Sequence, residues 1–428
     1  MGKRAYVARD KKWLGNKMTL HRAATRSRDL FIATALTLTL LSACGGHHHG
    51  GDDGGTTSGE TTGGTTGTTT GGETTGGTTG GETTGGTTGG ETTGGTATSC
   101  DQLYTPELAA QDKTNGTTAC KPLAGTICPT GDANLLQRTP IACDGVTYEE
   151  HTASTSAYTS TYFTLTGTNT KYEAIYLGLH YLLANKGAFT NIVRLQELAK
   201  ARKVLVVAPQ APSITPLITT SRWPSGSLLD SSTVAPTIAW LQEVISEVRT
   251  QYKVDASVPV YVAGLSNGAA MAYLYACTDP QVTAVLVVAS EANSTSLTTT
   301  CTSAHTLGSV IVHGTSDPET PYDGNVLLAR MSIPDIHTHF SEMDGCDATD
   351  ASTSVPLYND SLQVTISYTP ADKCVYRNFL VTVNGGGHNW PGTDRDFVVS
   401  GILYGDHTSN FDATLQGYDL LKQAAGDD

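Results

Sequence analysis

Residues 258–277 read VPVYVAGLSNGAAMAYLYAC, and they constrain the fold more than any other stretch. An apolar run suited to a buried strand passes through Gly264-Leu265-Ser266-Asn267-Gly268 straight into an alanine-rich segment of helical character. Strand, tight turn and helix follow with no linker between them. A serine at the centre of such a G-x-S-x-G turn is held on strained backbone, with its Oγ raised above the C-terminal edge of a sheet. Small residues at 264 and 268 let strand and helix approach each other. The first helical N–H, that of Asn267, is aimed where negative charge would develop on a reacting carbonyl.

The flanking chain supports a sheet around this turn. YFTLTG near 162, AIYLGLHYLL from 174, VLVVAPQA at 204–211, VTAVLVVAS and GSVIVHG read as strands. NIVRLQELAKAR from 191 and TVAPTIAWLQEVISEVRTQY carry apolar positions at helical spacing. Mostly apolar strands alternating with helices predict an α/β class, a mostly parallel doubly wound sheet buried on both faces.

The N-terminal part is different. Residues 1–30 hold nine Lys/Arg and two Asp, and an apolar run from Leu30 to Leu41 ends in LSAC. Basic lead, short apolar core and small residues predict an export signal over 1–43, with Met18 as an alternative start. LSAC resembles the lipobox of bacterial lipoproteins, so Cys44 is the expected lipidation site. That would give a lipid anchor to the membrane and a cell-surface or extracellular location, in the outer membrane if the host has one. Gly45 rather than Asp follows the cysteine, which argues against retention at an inner membrane. Ordinary cleavage near Ala43 is the alternative.

Residues 44–98 are a Gly/Thr-rich repeat in which GGETTGG recurs at 71, 80 and 89. Such a composition cannot bury a core and predicts a disordered tether. His47, His48 and His49 are read as part of it. A cysteine-rich lead-in is expected over 99–145 and one catalytic domain over 146–428. The net charge of −14 becomes about −21 without the +7 lead, a poor match for nucleic acid.

Eight further cysteines in an exported chain predict disulfides. Cys277 with Cys301 and Cys346 with Cys374 each bracket one local segment, which leaves Cys100, Cys120, Cys128 and Cys143 to pair among themselves. No C-x-x-C pair is present, and neither a metal nor a cofactor is expected.

A serine hydroxyl needs a base, and the base needs an acid partner. In this strand–turn–helix setting the acid and then the histidine follow the serine along the chain. Asp317 comes just after the strand ending in VHG, with Asp323 as runner-up in a plain turn. His388, in VNGGGHNWPG, is the histidine downstream of both; His305 and His313 precede the acid, His337 and His339 sit in a predicted helix, and His407 in a polar loop. The backbone N–H of Tyr181, after the AIYLGLH strand, is the second expected oxyanion donor beside Asn267. Trp223 and Trp390 are candidate walls of a substrate pocket.

GLSNGAAMAY, VHGTSDPETPYDG and GGGHNWPG together resemble the polyhydroxybutyrate depolymerase-like esterases, a group that includes feruloyl esterases and esterase lipoproteins. The resemblance spans about residues 145–425. It implies an α/β-hydrolase fold, hydrolysis of carboxylic esters, Ser266 as nucleophile, Asp317 as acid, His388 as base, and Trp390 against the substrate. The chain departs from that group at His180-Tyr181, where His-Gly is usual, which bears on the oxyanion loop. A polyester or other ester is thus the expected partner, with a feruloyl or acetyl ester of plant-wall polysaccharide as the alternative. Readings of another kind are an amidase or acyl-transfer variant of the same site, a metal-dependent hydrolase, and a non-catalytic binding lipoprotein.

Overall fold

The structure is a computed structural model. It describes residue 128 and residues 137–427, apart from 212, 216–217, 225–230, 347–350, 356, 358–359, 371, 394–397 and 400–401. The expected signal, Cys44, the tether, Cys100 and Cys120 lie outside the described residues.

Ten strands form one sheet: β1 (Thr147–Ser154), β2 (Thr159–Thr166), β3 (Ala174–Leu179), β4 (Val204–Pro209), β7 (Val260–Leu265), β8 (Val282–Val288), β9 (Gly308–Gly314), β10 (Ala351–Val355), β11 (Val364–Tyr368) and β12 (Asn378–Val383). β5 (Ser213–Thr215) with β6 (Ile218–Ser221), and β13 (Val398–Val399) with β14 (Ile402–Leu403), make two small ribbons. The sheet order is β1-β2-β4-β3-β7-β8-β9-β12-β11-β10. From β4 through β3, β7, β8 and β9 to β12 every pairing is parallel, whereas β1, β2, β10 and β11 pair antiparallel at the two edges. This is the α/β-hydrolase arrangement, extended at one edge by β11 and β10.

Helices cover both faces: α1 (Lys186–Ile192), α2 (Leu195–Ala201), α3 (Ser231–Tyr252), α4 (Asn267–Ala276), α5 (Ser294–Thr300), α6 (Ile333–Met343) and α7 (Leu415–Ala425). Strand alternation divides the core. Tyr261, Ala263 and Leu265 of β7 pack with Leu198 of α2 and Tyr418 and Leu421 of α7. Val260 and Val262 face the other way, toward Trp240 and Val244 of α3, Met271 of α4 and Phe340 of α6. Each such fully buried aliphatic side chain contributes about 1.5–3 kcal/mol of transfer free energy, so the central strands hold the sheet edge firmly.

The single helix expected from 191 is two. Arg194 breaks it in the left-handed region (φ 55°). Its guanidinium bridges Glu197 at 3.1 Å and Asp412 at 2.6 Å. The strand predicted from 174 ends at Leu179, and the chain turns over the sheet edge at His180. β1 has a mostly exposed pattern and carries almost no apolar signal, which is why sequence reading does not find it.

The structure contains the disulfides Cys128–Cys143, Cys277–Cys301 and Cys346–Cys374.

Candidate active site

The parallel strands β3, β7, β9 and β12 all point their C-terminal ends to one edge of the sheet. Tyr181, Ser266, Asp317 and His388 each follow one of these ends within a few residues. Residues separated by up to about two hundred positions are brought together for that reason alone, as ligand sites of open α/β sheets generally are.

Ser266 sits between β7 and α4 with φ 55° and ψ −120°, a region that L-residues rarely adopt. Its N–H donates to Val288 O at 2.9 Å, and its carbonyl receives the N–H of Ala270 at 3.0 Å. A Cβ at Gly268 would collide with the carbonyl oxygens of Leu179 and His180. The start of α4 therefore lies directly on the loop that follows β3, and glycine is what permits it. The first N–H groups of α4 lack intrahelical acceptors and face this edge.

His388 Nδ1 donates to Asp317 Oδ2 at 2.8 Å, and both side chains are buried. That bond fixes the tautomer and leaves Nε2 free to accept a proton. Asp317 Oδ1 accepts from the N–H groups of Glu319 (2.9 Å) and Thr320 (2.8 Å), and Thr320 Oγ1 donates to Oδ2 at 2.8 Å. Burial would raise this carboxyl, but hydrogen bonds and charge from His313 and His388 outweigh it and hold it well below the usual carboxylate range. Among the described residues no hydrogen bond joins Ser266 Oγ to His388; both line one cavity of about 460 Å³. Such bonds commonly tighten only once substrate is bound.

The histidine loop is braced from behind. His388 N–H donates to Tyr404 O at 2.7 Å, Gly387 N–H to Asp406 O at 2.8 Å, and Asn389 Nδ2 to Gly405 O at 2.9 Å. A Cβ at Gly387 would strike Tyr404 O, so this member of the glycine triplet is required by close packing of two loops. Trp390 is fully buried, donates from Nε1 to Thr414 Oγ1 at 2.9 Å and packs edge-on against Phe189. It anchors the histidine loop and lies outside the cavity wall, contrary to the expected substrate contact.

Trp223 is also fully buried rather than lining the pocket. Its Nε1 donates to His180 O at 2.9 Å, and its backbone is gripped by the Asn267 amide. Burial and hydrogen-bonding capacity explain both tryptophans: each indole N–H needs a partner inside the core, and a backbone or side-chain oxygen supplies it. His180 leads the chain from β3 into Tyr181. Its Nδ1 donates to Tyr181 O at 2.8 Å, and its Nε2 accepts from Ala211 N–H at 3.0 Å. Burial, with a contribution from the Lys186 charge and against the Tyr181 hydrogen bond, pushes the ring down to about 4, so it is neutral. Tyr181 itself reaches the cavity beside Ser266 and Asn267.

Asp323 is exposed in a turn closed by Gly324 N–H to Pro321 O at 2.9 Å. His305 and His339 bind the carbonyls of Ala276 and Cys301. His313, set aside because it precedes the acid, lies 3.3 Å from Asp317 Oδ2 and donates from Nε2 to Thr320 O at 2.8 Å. Thr320 was legible as the end of an Asp-x-x-Thr turn; His313 was not, since only the strand register points it at the acid.

The remaining wall includes Leu182, Leu183, Leu328, Glu291 and Arg330. Arg330 Nη1 and Glu291 Oε1 are 2.6 Å apart. Burial raises the Glu291 carboxyl even with Arg330 opposing it. No sequence pattern signals this pair.

The sequence matches no protein-family profile and no curated protein. Among solved structures, an acetyl xylan esterase from Aspergillus awamori aligns over 57% of this chain and 94% of that one, at 16% identity and TM-score 0.41. Esterase PE8 aligns over 53% and 90%, at 13% identity and TM-score 0.37. A cold-adapted esterase from an Arctic intertidal metagenomic library aligns over 47% and 82%, at 12% identity and TM-score 0.35. Likeness at this level assigns no substrate.

Proposed function

We propose that this chain is a serine hydrolase of carboxylic esters. The observation that carries the reading is the His388–Asp317 hydrogen bond at 2.8 Å opening onto the cavity that Ser266 shares, with Ser266 on strained backbone at a helix N-terminus. His388 Nε2 takes the proton of Ser266 Oγ as the oxygen attacks the ester carbonyl, and Asp317 stabilises the resulting imidazolium. The N–H groups of Asn267 and Tyr181 hold the oxyanion. His388 then protonates the departing alcohol, and a water activated by the same ring releases the acid from Ser266. Leu182, Leu183 and Leu328 in the wall favour an uncharged aliphatic acyl chain, as in a polyester of hydroxy acids.

The test is hydrolysis of p-nitrophenyl butyrate, methyl ferulate and amorphous polyhydroxybutyrate by the wild type and Ser266→Ala. The substitution is expected to lower turnover by roughly 10⁶-fold if the three residues act as a unit. Activity within tenfold of wild type in Ser266→Ala would sink the assignment.

We also propose export, with Cys44 lipidated and residues 44–98 tethering a domain that begins near 146. Three disulfides support an oxidising compartment. Cys44→Ala should move the protein from the membrane fraction to the soluble one; an unchanged distribution refutes the anchor.

A further inference from the structure

β9 reads GSVIVHG and is buried along its whole length. His313, near its C-terminal end, is the one titratable side chain in it. Burying a polar ring costs free energy unless its nitrogens are matched. Nε2 is matched, since it donates to Thr320 O at 2.8 Å. A carbonyl only accepts, so the proton on Nε2 is fixed. Nδ1 is buried and has no hydrogen-bond partner among the described residues. An aliphatic side chain would fill this place without that cost, as Ile311 does two residues earlier on the same face of the strand. A buried ring with one nitrogen unmatched marks a position where the other nitrogen is needed.

The ring itself is held in place. His313 pairs with Thr382 of β12 in the sheet. The Tyr322 ring packs edge-on against the imidazole, 6.0 Å between centroids and 70° between planes, and Tyr322 Oη shares a 2.9 Å hydrogen bond with Thr382 Oγ1. The imidazole is thus boxed between the sheet and the segment that follows the acid.

What Nε2 does follows from where it points. Thr320 closes the turn that begins at Asp317: its N–H donates to Asp317 Oδ1 at 2.8 Å and its hydroxyl to Oδ2 at 2.8 Å. The same hydroxyl lies 3.2 Å from His388 Nδ1. His313 Nε2 is 3.3 Å from Asp317 Oδ2, the oxygen that accepts from His388 Nδ1 at 2.8 Å. One N–H therefore faces both ends of the turn and ties it to β9. The other hydrogen bonds of the Asp317 carboxylate run within the turn or to His388. We propose that His313 is a positioning residue: through Thr320 O and Asp317 Oδ2 it keeps the acid where it holds His388 Nδ1–H. It stands behind the acid and outside the cavity wall, so it does not touch substrate. This rests on the reading of Ser266, His388 and Asp317 as a hydrolytic site.

The test compares His313→Phe, His313→Gln and His313→Asn in the full chain, with circular dichroism melting as a check on the fold. Phe keeps a ring of similar volume and loses the donor. Gln carries an amide N–H about as far as Nε2; Asn carries the same amide too short to reach Thr320 O. On p-nitrophenyl butyrate, His313→Phe and His313→Asn should lower kcat by about 10²-fold, the loss that a misplacement of about 1 Å brings, with KM changed by less than about twofold. His313→Gln should return kcat to within about tenfold of wild type. In an Asp317→Asn background, where the acid no longer orients the ring, His313→Phe should cost less than about threefold more. ¹⁵N NMR of the ring nitrogens at alkaline pH should show His388 fixed as the Nδ1–H tautomer in wild type and His313→Gln, and as a mixture in the other two. Unchanged kcat in a folded His313→Phe overturns the proposal. So does the full loss repeated in the Asp317→Asn background, or a Gln variant no better than Asn. If His313→Phe does not fold, the Gln and Asn pair, alike in polarity and different in reach, decides in the same way. A parent protein that hydrolyses no ester would instead remove the proposed function. The His388 tautomer would still decide the positioning, and a ring fixed as Nδ1–H in all three variants would overturn it.

Discussion

Asn267 grips the backbone of Trp223 with both ends of its side-chain amide: Oδ1 accepts from Trp223 N–H at 2.8 Å, and Nδ2 donates to Trp223 O at 2.9 Å. Trp223 in turn donates from its indole to His180 O. The residue after the proposed nucleophile and the loop proposed to supply the second oxyanion donor are thus linked through one buried tryptophan. Asn267→Ala removes two hydrogen bonds worth about 1 kcal/mol each and leaves a buried backbone N–H without its partner. The expected result is a stability loss of about 2–3 kcal/mol in urea denaturation, together with a drop in kcat larger than any change in KM. Unchanged kcat would show that the clamp does not position the loop after β3 for catalysis.

Asp317→Asn preserves shape but offers His388 a neutral partner that can present an N–H in place of the acceptor. The wrong tautomer of His388 then faces Ser266. Turnover of p-nitrophenyl butyrate should fall by about 10⁴-fold, and stability at neutral pH should fall as well, because the fold favours the ionised Asp317 carboxylate. A fall of less than tenfold would mean that the acid does not orient the ring. Asp323→Asn, in an exposed turn, should leave turnover near wild type.

Two buried groups push the pH dependence of stability in opposite directions. Burial raises the Asp344 carboxyl to about 7, against hydrogen bonds from Asn378 and Leu307. In the fold it binds a proton more tightly than in the unfolded chain, so its contribution is present at acid pH and lost as pH rises from about 4 to 7. His180, pushed down to about 4, binds its proton less tightly in the fold, and its contribution is lost as pH falls from about 6.5 to 4. Asp344→Asn removes the first effect and exposes the second. That variant should lose a few kcal/mol between about pH 6.5 and 4.5, where the wild type changes less. Equal slopes in guanidinium denaturation across this window would refute the assignment to these two groups.

Cys277–Cys301 joins the end of α4 to the end of α5 across 24 residues. Opening a loop of this length costs about 3 kcal/mol through the unfolded state. Cys277→Ser/Cys301→Ser should lower Tm by several degrees, and added reductant should then lower it less than it lowers the wild type. A double variant with unchanged Tm would show that this bond contributes nothing to stability.

Local sequence determined the turn at Ser266, because a buried strand, a G-x-S-x-G turn and an alanine-rich helix are contiguous and each follows from composition and spacing. It determined Asp317 and His388 as partners as well, since parallel strands must end on the same edge and the order along the chain is readable. β1 is mostly exposed, and β10 alternates in burial but carries Ser and Thr at most of its positions, so neither gives an apolar period to read.

Only the tertiary structure decided what the neighbours of these residues do. Trp223 and Trp390 looked like pocket walls because an aromatic beside a reactive residue suits either a surface or a core. The fold buries both and uses them as pins for the two loops that flank Ser266. His313 reaches Asp317 through strand register, Glu291 meets Arg330 across the cavity wall, and Leu328 lines the same wall beside them. Periodicity and motif report contacts within a few residues; which side chains face each other across forty or two hundred positions is set by how strands pair and where loops cross.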